Sequence, residues 1–252
     1  MTDRLKGKVA FIAGATSGIG EVTAEIFARE GAKVAIAGRR VAEGEAIAAR
    51  IRANGGAAIF VVTDVTQPAM VEQSIRSTVT AFGRLDVLFN NAGGSTPRDG
   101  SVIDSPEEEY WRANKLDTYG TWNCCKYGVP ELLRAGGGSV INMASMAGLT
   151  GSGGRNAYSA AKGGVLGLSK AMARDFVGKN IRVNVLAPAA VSTARIKMLV
   201  ETVPGASEVI SKQVLGLIDP AEIAWLAVYL ASDESRTMTG QTLAIHAGAF
   251  DG

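Results

Sequence analysis

Residues 9–20 read VAFIAGATSGIG, a short apolar run that passes directly into a glycine-rich turn. The run at residues 9–13 is typical of a buried β-strand. The apolar positions after the turn recur at helical spacing: Ile19, Val22, Ile26 and Phe27. A strand, a glycine-rich turn and a helix in this order predict the first unit of a parallel α/β sheet.

The same alternation of strand and helix patterns continues along the chain. Further apolar runs predict strands over residues 34–37, 58–62, 87–89, 140–143, 181–187 and 242–245. Helical spacing predicts helices between them, the longest over residues 106–134 and 157–176. We therefore expect residues 1–252 to form a single doubly wound, Rossmann-type α/β domain of about seven parallel strands, with helices on both faces.

Residues 189–217 interrupt this alternation. They follow the sixth predicted strand, at the carboxyl edge where open α/β sheets bind their ligands. We interpret this segment as a substrate lid.

The composition excludes several classes of function. Lys plus Arg number 26 and Asp plus Glu 24, so the charge balance offers no broad basic surface for nucleic acid or an anionic membrane. No apolar run is long enough to cross a membrane. The single histidine and the adjacent Cys124 and Cys125 lack metal-ligand spacing. We expect a cytoplasmic protein with reduced thiols and with no metal, nucleic-acid or membrane partner.

The glycine-rich turn predicts a dinucleotide site. Glycines allow the backbone to approach a pyrophosphate, and a helix N-terminus presents free N–H groups and a positive dipole end to that anion. The spacing here is G-x-x-x-G-x-G. The candidate residues of this turn are Gly14, Thr16, Ser17, Gly18, Ile19 and Gly20.

The end of the second predicted strand indicates which cofactor is bound. An NAD site usually has an acidic residue there, on the ribose 2′-hydroxyl. This chain has Arg39 and Arg40 instead. Guanidinium groups suit a 2′-phosphate, although two arginines at a strand end are also a common solvated feature. The pattern favours NADP(H) and leaves NAD(H) open.

Three residues form a candidate catalytic group. Tyr158 and Lys162 are four residues apart on a predicted helix and therefore share a face, while Ser145 follows the fifth predicted strand. Converting a ketone to an alcohol requires a proton donor. An ammonium about 4 Å from a phenolate stabilises it by on the order of 4 kcal/mol at an effective dielectric near 20. Tyr158 is the predicted general acid and base, and Ser145 would orient and polarise the carbonyl.

These motifs together resemble the short-chain dehydrogenase/reductase family over essentially the full chain. The landmarks are Gly14, Gly18 and Gly20, Asp64 and Val65, residues 90–93, Ser145, Tyr158, Lys162, Pro188 and Thr193. The resemblance implies a Rossmann-type fold, a nicotinamide cofactor, Ser-Tyr-Lys chemistry on alcohols or carbonyls, and a homotetramer or homodimer.

The resemblance also implies positions around the cofactor. Asp64 and Val65 would lie beside the adenine, and Tyr158 and Lys162 would themselves border the cofactor. Asn90, Asn91, Ala92 and Gly93 would run along it. Pro188, Val191 and Thr193 would lie at the nicotinamide, the last two near its carboxamide.

One position departs from the family pattern. The family usually has an asparagine in a short Asn-x-x-Gly stretch of its long central helix, where it holds a water linked to the catalytic lysine. Alignment on Gly120 places Asp117 at this position, with Asn114 one helical turn away as the competing candidate. A carboxylate there would favour the ammonium form of Lys162. The alternative is that Asp117 only ties helices together.

The sequence therefore predicts an NADP(H)-dependent oxidoreductase that interconverts a secondary alcohol and a ketone, both small molecules. The alternatives are an NAD(H)-dependent alcohol dehydrogenase of the same family and, from another class, a dinucleotide-binding sensor or scaffold without activity. The loops 94–105, 147–156 and 189–217 supply the candidate substrate pocket. It is mostly apolar, and Arg98, Arg155 and Arg195 either bind an anionic group or lie on the surface.

Overall fold

A seven-stranded parallel sheet lies at the centre of the computed structural model, which describes residues 3–202 and 206–249. The strands are β1 (Val9–Ala13), β2 (Lys33–Gly38), β3 (Ala57–Val62), β4 (Val87–Asn90), β5 (Gly138–Met143), β6 (Ile181–Pro188) and β7 (Thr242–Ile245). Their order in the sheet is β3-β2-β1-β4-β5-β6-β7. The predicted doubly wound fold is confirmed.

The position of β1 decides where a ligand can bind. All five residues of β1 are buried: it pairs with β2 on one side and β4 on the other, and its side chains pack alternately into the cores on the two faces of the sheet. Its last residue, Ala13, is paired with both Ala37 and Asn90. The strand order changes direction between β1 and β4, and this arrangement opens a crevice at the carboxyl ends of the strands.

Helices cover both faces of the sheet. They are α1 (Gly18–Arg29), α2 (Val41–Ala53), α3 (Pro68–Phe82), α4 (Glu107–Ala113), α5 (Gly120–Arg134), α6 (Met146–Thr150), α7 (Asn156–Phe176), α8 (Ala194–Thr202), α9 (Ala206–Ser211) and α10 (Pro220–Ala231). Side chains of α1, α2 and α10 pack in the core on one face. Those of α3, α5 and α7 pack on the other.

The long helix predicted over residues 106–134 is helical but not uniform. A π-helical turn, Asn114–Tyr119, joins α4 to α5. A π turn places one extra residue in the helical circuit and is frequent at functional sites. Here it leaves Asp117 fully buried on the side of the sheet's carboxyl edge, where Asp117 meets α7.

The predicted lid segment is held at both of its ends. Val191 forms an isolated bridge with Ile218. The side chain of Gln213 accepts a hydrogen bond from Ala190 N at 2.7 Å and donates one to Ala190 O at 3.1 Å. In the described part of the segment, α8 and α9 lie between these anchors. None of the described helices is long and apolar enough to span a membrane.

Candidate active site

A cleft of about 1020 Å³ lies at the carboxyl edge of the sheet. Most of the predicted site residues line it: Gly14, Thr16, Ser17, Gly18, Ile19, Arg39, Arg40, Asp64, Val65, Asn91, Ala92, Gly93, Ser145, Tyr158, Lys162, Pro188, Val191 and Thr193. Gly20, Asn90 and Asp117 do not line the cleft but lie behind its wall. The structure therefore brings motifs that are far apart in sequence to one edge.

The glycine-rich turn is shaped by close backbone contacts. Gly14 has φ +73°, and a Cβ there would lie 2.7 Å from the Cα of Ala92. A Cβ on Gly20 would overlap the carbonyl oxygen of Gly14, which also accepts a hydrogen bond from Asn91 Nδ2 at 3.0 Å. No side chain can replace hydrogen at these two positions without moving the backbone. The turn therefore packs closely against residues 91 and 92, which follow β4.

The start of α1 can receive an anion. Ser17 is its N-cap residue, and its side chain makes no capping hydrogen bond. The first-turn N–H groups have no partner within a helix, so they are available to a pyrophosphate. The volume of the cleft and the lack of a side chain at Gly14, Gly18 and Gly20 fit a dinucleotide.

The two predicted 2′-phosphate ligands differ in the structure. Arg40 donates hydrogen bonds to the carbonyl oxygen of Thr16 at 2.7 Å and to Thr16 Oγ1, and it forms an ion pair with Glu43 at 3.5 Å. Arg39 is exposed, lines the cleft and makes no hydrogen bond or ion pair with any described residue. Arg40 therefore braces the turn, while Arg39 keeps its donors free for a ligand.

The predicted adenine residues follow β3. Asp64 Oδ1 accepts hydrogen bonds from the backbone N–H of Thr66 at 2.9 Å and from its hydroxyl at 2.8 Å. Val65 is buried, and its carbonyl accepts a hydrogen bond from Asn123 Nδ2 at 2.9 Å. A Cβ on Gly120 would lie 2.6 Å from the Val65 side chain. Helix α5 therefore holds this loop in place.

Asn90 connects strands instead of lining the cleft. Its Nδ2 donates to Asn142 Oδ1 at 2.8 Å, and Asn142 Nδ2 donates to Ser169 Oγ at 2.8 Å. This chain of amides links β4, β5 and α7 beneath the site. The neighbouring Cys125 is a free buried thiol, and burial raises its pKa to about 12, so it is inert at neutral pH.

Ser145 and Tyr158 reach the cleft from two neighbouring helices. Ser145 follows β5 and caps α6, accepting a hydrogen bond from Ala147 N at 3.2 Å. Its hydroxyl donates to the Pro188 carbonyl at 3.4 Å, a long and weak bond. Tyr158 lies in the first turn of α7, one turn before Lys162, whose Nζ is 5.7 Å from the centre of the tyrosine ring.

Lys162 is buried and held by two acceptors. Its Nζ donates to the Met143 carbonyl at 2.8 Å and forms an ion pair with Asp117 Oδ1 at 2.8 Å. Burial lowers the pKa of Lys162, but the charges of Asp117 and Tyr158 and the hydrogen bond to Asp117 outweigh it, so its pKa is raised above the ordinary value. The lysine therefore stays an ammonium beside Tyr158.

Asp117, and not Asn114, is the residue that contacts Lys162. Asp117 is fully buried and also accepts a hydrogen bond from Gly94 N at 3.1 Å. Asn114 instead donates to the Tyr110 carbonyl of its own helix at 2.9 Å. A Cβ on Gly93 would overlap the Asp117 carboxylate. The glycine is thus required for the ion pair to lie against the backbone at the end of β4.

Asp99 is a residue of the site that no sequence motif indicated. Helix α7 has no side-chain cap from its N-cap residue, Arg155. Asp99 supplies the cap from the loop before α4: its Oδ1 accepts from Ala157 N at 3.1 Å and its Oδ2 from Tyr158 N at 2.9 Å. Asp99 is 59 residues from Tyr158, so no local spacing rule could identify it.

The chain is similar to known proteins over nearly its full length. Residues 14–249 match the family model described as Enoyl-(Acyl carrier protein) reductase. The chain is 41% identical to trans-4-hydroxycyclohexanecarboxylate dehydrogenase of Sinomonas cyclohexanicum, covering 100% of this chain and 96% of that one. It is 36% identical to the 3-oxoacyl-(acyl-carrier-protein) reductase FabG of Thermotoga maritima, covering 97% and 98%.

A solved structure shares the whole architecture. The crystal structure of a short-chain dehydrogenase/reductase from Burkholderia xenovorans superimposes with a TM-score of 0.90 at 31% identity, covering 98% of this chain and 97% of that one. The chain belongs to the short-chain dehydrogenase/reductase family and is an oxidoreductase. The family implies a nicotinamide cofactor, NAD or NADP.

The cap from Asp99 predicts a specific effect on turnover. Asp99→Ala removes the acceptors of Ala157 N and Tyr158 N, so the first turn of α7 frays and Tyr158 loses its position. We expect stability to fall by about 1 kcal/mol, as for other lost caps, and kcat to fall clearly more than cofactor affinity. Thermal unfolding and steady-state kinetics measure the two effects.

Asp219→Ala is the matched control for this experiment. Asp219 caps α10 through a capping box with Glu222, outside the candidate catalytic group. We expect the same loss of stability with kcat unchanged. Equal loss of kcat in both variants would show that Asp99 acts only through general stability.

Proposed function

We propose that the protein is an NADP(H)-dependent oxidoreductase that interconverts a secondary alcohol and a ketone. The observation that carries this proposal is the buried Lys162 ammonium beside Tyr158, in the wall of a cleft that begins at a glycine-rich turn. The names of two relatives, a 3-oxoacyl reductase and a hydroxycyclohexanecarboxylate dehydrogenase, describe reactions at a carbonyl and a hydroxyl. They support the same class of reaction here.

Residues of this chain would hold the cofactor along the cleft. The turn from Gly14 to Gly20 would bind the pyrophosphate, Arg39 the 2′-phosphate, and Asp64 and Val65 the adenine. Asn91, Ala92, Gly93, Pro188, Val191 and Thr193 would border the nicotinamide half. When bound, the cofactor supplies or accepts the hydride.

The chain's own residues would manage the proton. In reduction, the Tyr158 hydroxyl donates its proton to the carbonyl oxygen, and Ser145 donates a hydrogen bond to the same oxygen. The weak bond from Ser145 to the Pro188 carbonyl leaves its hydroxyl free to turn towards a substrate. The Lys162 ammonium stabilises the phenolate that remains. In oxidation the phenolate accepts the proton from the alcohol.

The same proposal includes a lid, an assembly and a compartment for the protein. Residues 189–217 act as the lid of a single domain, since α8 contributes Arg195, Ile196 and Leu199 to the cleft between two anchored ends. Trp111, Tyr119 and Trp122 are exposed along the central helices, which supports a homotetramer or homodimer built on them. The two free cysteines are consistent with the cytoplasm.

Cofactor choice is tested at Arg39. Arg39→Ala removes an unpaired guanidinium from the cleft, so we expect the KM for NADP(H) to rise about 10- to 100-fold with little change for NAD(H). Arg40→Ala is the control, because Arg40 braces the turn and its loss should weaken both cofactors. A wild-type protein that prefers NAD(H) in steady-state kinetics would make the NADP(H) assignment wrong.

The general acid is tested at Tyr158. Tyr158→Phe keeps the ring and removes the hydroxyl, so turnover should fall at least about 100-fold while cofactor affinity, from fluorescence titration, survives. Near-normal turnover in this variant would remove Tyr158 from the mechanism. If the wild type binds the cofactor but turns over none of a broad panel of alcohols and ketones, the alternative of a dinucleotide-binding sensor or scaffold without activity is favoured.

The ion pair predicts a change in the pH profile. Asp117 raises the pKa of Lys162, so in Asp117→Asn the ammonium loses its proton at a lower pH. The variant should remain active, with the alkaline side of its kcat/KM profile for oxidation shifted to lower pH by up to about one unit. Asn114→Ala, the control, should keep the wild-type profile. An unchanged profile in Asp117→Asn would limit Asp117 to tying the helices together.

A further inference from the structure

One end of the cleft, which we call the substrate end, carries charges of a single sign. This end is lined by residues of three described ranges, 145–155, 189–199 and 210–213. Its ionisable lining residues are Arg155, Arg195 and Lys212. Among all the described residues that line the cleft, Asp64 is the one carboxylate. It follows β3, four strands from β5 in the sheet order, or about 19 Å away. The substrate end is therefore positively charged.

Arg195 lies directly at the candidate catalytic group. Its Nη1 donates to the Gly93 carbonyl at 2.9 Å, and a Cβ on Gly94 would overlap the guanidinium. The N–H of Gly94 points to Asp117, the partner of Lys162. The Gly93–Gly94 peptide thus lies between the Arg195 guanidinium and the Asp117 carboxylate that pairs with Lys162, although Arg195 comes from the lid helix α8.

The other two cations near this peptide are already paired. Lys162 is paired with Asp117, and Arg112, which donates to the Gly94 carbonyl at 3.1 Å, is paired with Glu109 at 2.8 Å. Arg195 forms no ion pair with any described residue and uses one of its five N–H donors on Gly93. Arg155 and Lys212 likewise have no ion-pair partner in the described part of the chain. The unpaired charge faces the cleft.

The walls between these cations are apolar. Met146, Ile196, Leu199 and Ile210 line the same end of the cleft. A ligand that fits both features has an apolar carbon skeleton and one anionic group. A guanidinium edge binds a carboxylate through two parallel hydrogen bonds, and such charge-assisted pairs are stronger than neutral ones.

We propose that the substrate is a hydroxy acid and its product the corresponding oxo acid, with the carboxylate bound by Arg195. Arg155 and Lys212 add positive charge at the same end of the cleft. This inference rests on the alcohol and ketone chemistry proposed above and names its substrate class. Because Arg195 comes from α8, binding of the carboxylate would also hold the lid against the Gly93–Gly94 peptide.

The test compares a carboxylate with its neutral isostere. We would titrate 4-oxocyclohexanecarboxylate and 4-oxocyclohexanecarboxamide into the enzyme saturated with its preferred oxidised cofactor, in which a ketone cannot be reduced. The wild type should bind the carboxylate at least about tenfold more tightly than the amide. In Arg195→Gln this ratio should fall towards one, and Arg195→Lys should keep part of it. Arg98→Gln is the control, since Arg98 is exposed and does not line the cleft.

The ratio of the two affinities distinguishes recognition of the carboxylate by Arg195 from a merely structural role of this residue. If Arg195 serves only to hold α8 on Gly93, its loss weakens both ligands equally and leaves the ratio unchanged, and the proposal is wrong. A wild-type ratio near one, or no measurable binding of the carboxylate, also overturns it.

A separate assay of ketone reduction tests the proposed function. Wild-type protein with reduced cofactor should reduce the ring ketone of 4-oxocyclohexanecarboxamide to a hydroxyl group, and Tyr158→Phe should not. If the ring ketone of the carboxamide is reduced but the binding ratio is near one, the proposed substrate class is wrong and the proposed reaction stands. Selective carboxylate binding without reduction of either ketone removes the reaction instead.

Discussion

The buried ion pair between Lys162 and Asp117 is the interaction on which the rest of the site depends. Transferring two charges from water to a protein interior costs several kcal/mol per ion, and this cost is offset only with good geometry and further hydrogen bonds. Both ions have them: Lys162 donates to the Met143 carbonyl, and Asp117 accepts from Gly94 N. The pair therefore joins α7, the π-helical turn and the ends of β4 and β5.

Close contacts between segments explain several glycines at this edge, and the ion pair accounts for one of them. Gly93 has no room for a side chain because the Asp117 carboxylate lies against it, and Gly94 has none because Arg195 lies on its other side. A side chain at Gly14 would likewise collide with Ala92, and one at Gly120 would collide with Val65. In each case one segment approaches the backbone of another closely. These contacts hold the carboxyl edge of the sheet as one surface.

The charges around the Gly93–Gly94 peptide suit a reaction in which an oxygen becomes negative. Lys162 and Arg195 lie on either side of this peptide, and one carboxylate, Asp117, is paired with the first of them. Positive charge therefore remains beside this peptide, where the proposed mechanism needs a phenolate to be stabilised. Fixed charges stabilise such an anion well, because they need not reorganise during the reaction.

The sequence alone determined those features that depend on local periods. Residues 9–13 were predicted as a strand, and the structure has β1 with the same bounds, because buried parallel strands are continuous apolar runs. The helical repeat placed Tyr158 and Lys162 on one face, and the glycine spacing predicted the turn before α1. The π turn was missed, because one extra residue in the helical circuit barely disturbs the spacing of apolar side chains over residues 106–134.

Only the tertiary structure decided which side chains meet across the chain. The sheet order brings Asp117 to Gly94 across 23 residues and Asp99 to Tyr158 across 59. It also separates Arg40, which bonds to Thr16, from Arg39, which keeps its donors free. Neighbouring residues of the same type can thus have different partners. Helix and strand periods are local properties of the sequence, whereas contacts between distant segments depend on how the strands are ordered and how the helices pack.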